Sequence, residues 1–358
     1  MGTLPCRRRQ LCGRPVIRIA GGGETASALR TEAREGEMKA IVQSGHGGPE
    51  VLALVEVDRP TIKDDEVLVR VRAASVGAWD WHVMRREPRI MGITGQIKPM
   101  RGIPGLDFAG EIEAVGKNVI DLHPGVEVYE ESEGAFAEYV GAPVGNVAPK
   151  PTNLSFEDAA SVPVAEFTAL MGLQDVGKIR SGQRVLIVGA GGGVGSFALR
   201  IAVSMGAHVT GVCSTGGVDV LRSLGAEAVI DYTKEDFSDN GDHYDVIFEL
   251  AGTHPLSVFR ASLTPGGTLV MGNGSGGRWF GPIGKTAKAF AVSPFVRQRF
   301  VPFVGKATRE RLVALKDLIE TGKVGPVIDR TYPLSGVPDA IAYVEQEHSR
   351  GKTVITVA

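Results

Sequence analysis

Apolar and polar positions alternate with a period of two through Gly110-Glu111-Ile112-Glu113-Ala114-Val115-Gly116 and toward the end of Val67-Leu68-Val69-Arg70-Val71-Arg72. That spacing gives an extended chain one face for a core and one for water, so it predicts strands. Met38-Lys39-Ala40-Ile41-Val42 reads as a first strand, and the turn Asp121-Leu122-His123-Pro124-Gly125 leads into another at Val126-Glu127-Val128-Tyr129. Helical periodicity is scarce over residues 38–164, and this block is expected to be β-rich.

Beyond it the pattern changes to alternating strands and helices. The apolar run Arg184-Val185-Leu186-Ile187-Val188 ends in a glycine-rich turn, a helix is expected over residues 197–205, and a strand over 207–212. A helix at 218–224, strands at 228–230 and 245–250, a helix near 255–263 and a strand at 268–271 continue the series. Such repetition builds a parallel, doubly wound sheet. Leu312, Leu315, Leu318 and Ile319 then share one face of a helix over 308–321, stopped by Gly322. A strand at 326–329, a helix at 337–347 and a strand at 352–357 close the chain.

The 358 residues are enough for two domains, and 43% hydrophobic with 22% charged residues excludes a disordered or fibrous chain. A formal charge of −2 gives no reason to expect nucleic acid as a partner. Cys6, Cys12 and Cys213 form neither a disulfide framework nor a metal-spaced set, which fits a reducing, cytoplasmic compartment. No apolar run is long enough to span a membrane. Arg7-Arg8-Arg9 is followed by no apolar run, so residues 1–37 are not a secretory signal. They are expected to be a disordered leader or to lie upstream of the natural start.

The glycine-rich turn carries the first chemistry. Ala190-Gly191-Gly192-Gly193-Val194-Gly195 holds the spacing Ala-x-Gly-x-x-Gly between a strand and a helix, with a second strand within about 30 residues. Gly192 lets backbone approach a pyrophosphate, Gly195 permits close helix–strand packing, and a helix beginning near Val194 directs its positive end at the phosphates. A nicotinamide dinucleotide is the expected ligand. The following strand ends in Cys213-Ser214-Thr215-Gly216-Gly217, without the acid that would bind a ribose 2′-hydroxyl. The small hydroxyls favour NADPH, with NADH usable, although no Lys or Arg sits in the turn.

With these motifs in view, residues 38–358 resemble the zinc-free, quinone oxidoreductase-like branch of the medium-chain dehydrogenase/reductase superfamily, often labelled NAD(P)-dependent alcohol dehydrogenase. The matching segments are Ala74-Ser75-Val76 to Asp80-Trp81-His82, Pro104-Gly105-Leu106-Asp107-Phe108-Ala109-Gly110 and Gly134-Ala135-Phe136-Ala137-Glu138-Tyr139. They continue through Gly182-Gln183-Arg184, the glycine-rich turn, Leu224-Gly225-Ala226 to Tyr232, Tyr332-Pro333-Leu334, and His348-Ser349-Arg350-Gly351-Lys352. The resemblance implies an α/β fold with a doubly wound Rossmann sheet (residues 165–306) inserted in a GroES-like β-rich domain (38–164), to which 307–358 return. The active site would lie in the cleft between them.

Zinc-using relatives place their catalytic ligands at the positions of Gly77, Leu106 and Val164. None of these side chains offers a donor, and the four closely spaced cysteines of a structural zinc lobe are absent, so no metal is expected. Without a Lewis acid, a conjugated acceptor that delocalises charge is an easier hydride target than a simple ketone. The resemblance thus implies hydride transfer from NADPH to a small quinone or α,β-unsaturated carbonyl. A zinc-free alcohol or aldehyde reductase and a non-catalytic NADP(H)-binding redox sensor are the alternatives.

By the same analogy Trp79, Asp80, Trp81 and Tyr139 line the cleft, with a structural carboxylate an equal reading for Asp80 and packing the favoured one for His82. Trp79 and Trp81 would share one face of an extended segment. Thr168, Tyr232, Gly272 and Lys352 would approach the cofactor, and Ser214 and Thr215 would flank the adenosine ribose. Residues 251–309 contain no Asp or Glu and carry a formal +8, interleaved with Trp279, Phe280, Phe290, Phe295, Phe300 and Phe303. A lid, a subunit contact compatible with a homodimer, a membrane-leaning segment, or simply core aromatics with a cationic rim would explain it. The last is favoured, so no membrane partner is expected.

Overall fold

The computed structural model describes residues 36–87, 102–252, 254–272, 287–289, 296–303, 308–346 and 349–358. Strands β1 (Glu37–Gln43) and β2 (Leu52–Asp58) form an antiparallel hairpin. β3 (Glu66–Val76) is the spine of a seven-stranded sheet, flanked by β4 (Asp107–Val115) and by β15 (Lys352–Thr356). The sheet continues through β5 (Glu127–Glu131) to β7 (Ala148–Pro149) on one side, and to β14 (Ile328–Pro333) on the other, while β6 (Tyr139–Pro143) pairs with β3. Only the first half of β3 alternates; from Ala73 onward every residue is buried, because a second unit covers that end.

That unit is a six-stranded parallel sheet. Its order is β10 (Ala228–Asp231), β9 (His208–Cys213), β8 (Arg184–Val188), β11 (Tyr244–Glu249), β12 (Leu263–Met271) and β13 (Arg299–Pro302). Val185 to Val188 are all buried, as helices on both faces of a parallel sheet require. The chain order reverses between β8 and β11, which opens a crevice at the carboxyl ends of those strands. One core cluster joins the two sheets: Ala73, Ala109 and Tyr129 pack with Ile187, Phe197 and Leu312.

Five expectations are corrected. Residues 78–85 form a helix, α1 (Ala78–Arg85), inside the block expected to be strand. Gly77 is its N-cap, and the Asp80 carboxylate accepts the Gly77 amide at 2.8 Å, which closes the first turn. The aromatic-rich sequence hides that periodicity. Trp79 and Trp81, two apart on a helix, therefore do not share a face: Trp79 is 37% exposed, while Trp81 packs on the core and stacks on His82 at 3.7 Å. Two further helices, α2 (Phe156–Ala160) and α3 (Pro163–Leu170), end the same block.

Helix α4 (Gly193–Ser204) starts four residues before the apolar pattern suggests, because its first turn is glycine-rich. The strand expected at 326–329 lies at Ile328–Pro333; as an edge strand it exposes Arg330 and Thr331, which breaks its apolar signal. Helices α5 (Val218–Ser223), α6 (Leu256–Ala261), α7 (Arg309–Glu320) and α8 (Val337–Glu345) stand where expected. Within the cationic stretch Phe300 and Phe303 belong to the core, whereas Trp279, Phe280, Phe290 and Phe295 lie outside the described residues, as do residues 1–35. No helix among the described residues is long and apolar enough to cross a membrane.

Candidate active site

Most of the residues singled out for cofactor binding follow the carboxyl ends of the parallel strands. Ala190 to Gly195 follow β8, Ser214 and Thr215 follow β9, Tyr232 follows β10, and Gly272 follows β12. Gly192 is the N-cap of α4, in extended backbone, and no side chain caps the helix. The amides of its first turn are left for an anionic ligand. At Gly195 a Cβ would come within 2.2 Å of the Gly189 carbonyl oxygen, so the helix reaches this position only because the residue is glycine. The edge fits a dinucleotide pyrophosphate. Thr168 is half-buried on α3, and Tyr232 is 60% exposed.

The ribose turn differs from its sequence reading in two respects. Asp231, the last residue of β10, is buried beside it and accepts the Thr215 hydroxyl at 2.6 Å. Bonds from Thr215 first, then from Lys234 and Thr233, hold this carboxyl well below the usual carboxylate range. A carboxylate is thus present at the turn after all, and the Thr215 proton is already committed. The turn is not without a cation either. A Cβ on Gly216 would come within 2.5 Å of the Arg350 guanidinium, so that side chain lies against Gly216 from the loop before β15. The sequence reading missed Arg350 and Asp231 as functional residues, because spatial rather than sequential neighbours supply both charges; each lay inside a matched segment, His348 to Lys352 and Leu224 to Tyr232, which was the available signal.

At the seam between the two sheets Lys352 Nζ donates to Asp107 Oδ2 at 3.1 Å, with both side chains about 5% exposed or less. Asp107 also accepts the Ser75 hydroxyl at 3.1 Å and the Val164 amide at 3.1 Å. The stem of Lys352 crosses the first turn of α4, where a Cβ at Gly193 would meet its Cδ at 2.7 Å. Lys352 is therefore a buried, paired lysine beside the pyrophosphate position. Asp80 is 8% exposed, and burial first, then the Asp107 charge, pushes its carboxyl up to about 7 against the opposing Gly77 amide and Lys352.

Tyr139 is placed elsewhere. Its ring packs with Met38, Ala40 and Val57 under the β1–β2 hairpin, with the Arg59 guanidinium 3.9 Å from the ring centre. This is not the seam side of the sheet, so Tyr139 does not line the expected cleft. His82 Nδ1 contacts the Glu87 carbonyl at 2.9 Å, and burial lowers its pKa, as a packing histidine would show. A buried carboxyl that sequence reading missed is Glu166 on α3: burial raises it to about 8, and neither oxygen has a hydrogen-bond partner.

The zinc positions offer no donors in three dimensions either. Gly77 caps α1, the Leu106 carbonyl accepts the Ser132 amide, and Val164 uses its own amide on Asp107. Among the described residues no group of three or more His, Cys, Asp or Glu could hold a metal ion. The side chains at these three positions bring no donor for zinc.

Residues 63–152 match the alcohol dehydrogenase GroES-like domain family, and residues 224–355 match a family described as zinc-binding dehydrogenase. A 2-methylene-furan-3-one reductase of Solanum lycopersicum is 34% identical over 351 residues, covering 94% of this chain and 82% of that protein. The chloroplastic NADPH-dependent alkenal/one oxidoreductase of Arabidopsis thaliana is 33% identical over 365 residues, covering 97% and 87%. The quinone oxidoreductase structure from Coxiella burnetii superposes with a TM-score of 0.79 at 29% identity, covering 90% of this chain and 100% of that one. The chain belongs to the medium-chain dehydrogenase/reductase superfamily, in its quinone oxidoreductase-like branch.

Proposed function

We propose that the chain is an NADPH-dependent, zinc-independent oxidoreductase that transfers a hydride to a quinone or an α,β-unsaturated carbonyl. The observation that carries this reading is the seam itself. A buried carboxyl and a buried ammonium stand beside the dinucleotide edge, and among the described residues no donor set for a Lewis acid stands with them. The bound nicotinamide supplies the hydride. The chain's own residues do the rest. The amides at the α4 N-terminus and Lys352 hold the pyrophosphate, Thr168 flanks the nicotinamide side, and Trp79 lines the acceptor cleft. Burial brings the Asp80 carboxyl, beside the seam, into its titration range near neutral pH, where it can take up or release a proton.

Arg350 against Gly216 supports a preference for the 2′-phosphate, and the adjacent Asp231 keeps that preference modest and NADH usable. Relatives named for quinone and alkenal/one chemistry support the substrate class. A cytoplasmic location is part of the reading, supported by cysteine usage without a disulfide framework; fractionation of cells carrying the full chain tests it. The function is tested by following nicotinamide absorbance with NADPH and NADH against quinones, enones, simple ketones and aldehydes. Turnover of the first two classes is expected. Turnover confined to simple aldehydes or ketones, or none at all, overturns the proposal.

A further inference from the structure

Three neighbouring strands bring their ends together at the seam. Ser75 pairs with Asp107 and Val76 with Thr353, so Asp107, Lys352 and the first turn of α1 converge. The Lys352 ammonium lies between two claims. One is Asp107, at 3.1 Å; the other is the α4 N-terminus, across which its stem already runs. The remaining partners of Asp107, the Ser75 hydroxyl and the Val164 amide, are neutral. Asp107 from β4 and Lys352 from β15 are the charged side chains that act on Asp80, while its own helix contributes the Gly77 and Asp80 amides.

We propose that Lys352 is a cofactor-operated switch on the protonation of Asp80. When a pyrophosphate at α4 engages the ammonium, Asp107 loses its counter-charge, and Asp80 binds its proton more tightly, drawing it from solvent wherever the carboxyl was ionised. No electrons move in this step. The direction follows from the charges: withdrawing a cation and leaving an anion both disfavour a second carboxylate nearby. The acid of the site is then loaded in the cofactor complex and largely ionised without it. This inference rests on the dinucleotide-site reading above.

Calorimetric titration of the full-length protein with NADP⁺ at pH 7.5, in buffers of different ionisation enthalpy, reads affinity and proton uptake together. A one-unit rise in a group titrating near 7 takes up about half a proton per chain. That uptake is expected in wild type and is expected to vanish in Asp80→Asn, which keeps an acceptor for the Gly77 amide. It should also shrink strongly in Lys352→Met, where Asp80 is protonated from the start. Difference infrared spectra of wild type should show a new protonated-carboxyl band on NADP⁺ addition, so the idea stays testable if a variant fails to fold. Binding with no uptake and no band, or equal uptake in either variant, overturns the switch alone. No binding at all overturns the dinucleotide reading and the switch with it.

Discussion

Gly192→Asp separates the cofactor reading from a purely structural role for the glycine-rich turn. Gly192 has φ −79° and ψ 176°, an extended conformation open to any residue, and a Cβ there would sit 3.6 Å from the Gly189 oxygen, an ordinary contact. Aspartate is moreover a preferred N-cap, worth about 1 kcal/mol to the helix it starts. The fold should therefore tolerate the change or gain from it. Cofactor binding should not. A carboxylate about 5 Å from one phosphate charge costs about 3 kcal/mol at an effective dielectric of about 20. Solvent at this half-buried turn reduces that to about 1.5 kcal/mol, and the new side chain also competes for the first-turn amides. At least a tenfold loss of NADPH affinity follows. Calorimetry gives the affinity and a thermal melt of the apoprotein gives the stability. Unchanged affinity would show that no pyrophosphate sits at α4. A drop in melting temperature matching the loss of affinity would show that the turn was merely disrupted.

The charges at the ribose turn give a second test: Arg350→Ala should lower the NADPH-to-NADH ratio of kcat/KM about tenfold, the worth of one exposed charge-assisted bond. Asp231→Asn should raise the same ratio, and a ratio moved by neither variant means the turn does not read the phosphate. Glu166 is neutral in the fold up to about pH 8 and ionises near 4.5 when unfolded, so its stabilising effect is complete below 4.5 and lost as pH rises through 8. Glu166→Gln should therefore raise the melting temperature at pH 8.5 and change it little at pH 4.5; equal shifts at both would refute the buried-acid account. Activity should survive exhaustive EDTA treatment, and elemental analysis should find no stoichiometric zinc. One zinc per chain with chelator-sensitive turnover would reverse the account of Gly77, Leu106 and Val164.

The parallel sheet and its glycine-rich edge were legible because local spacing alone encodes them: a buried strand, a turn and a helix occupy consecutive residues. The helix carrying Asp80 was not, since eight residues dense in aromatics show no clear stripe and its start depends on a backbone cap. Charge at the ribose turn was misread for a different reason. Asp231 comes from the neighbouring strand and Arg350 from the far end of the chain, and proximity of that kind is a property of topology. Tyr139 fails similarly: it stands on β6 within a matched segment, but only the pairing of β6 with β3 and the hairpin above decides which side its ring takes. Glu166 gave no signal, because a carboxyl in an otherwise apolar helix looks like a solvent-facing position until its burial is seen.

The placement of β15 next to β3 has a consequence for synthesis. The central strand of the first sheet leaves the ribosome early, yet one of its three neighbours, β15, is made only after the whole parallel sheet. Until then β3 presents an open edge along its most apolar end, a surface prone to wrong pairing. The parallel sheet, with most of its strands contiguous in the chain, can form during this wait. It buries the Ala73 end of β3 against Phe197 and Ile187 before the closing strand arrives. A premature stop just before β15 would thus leave a nascent chain with its cofactor unit built and its first sheet permanently unclosed, a substrate for quality control rather than a weakened enzyme.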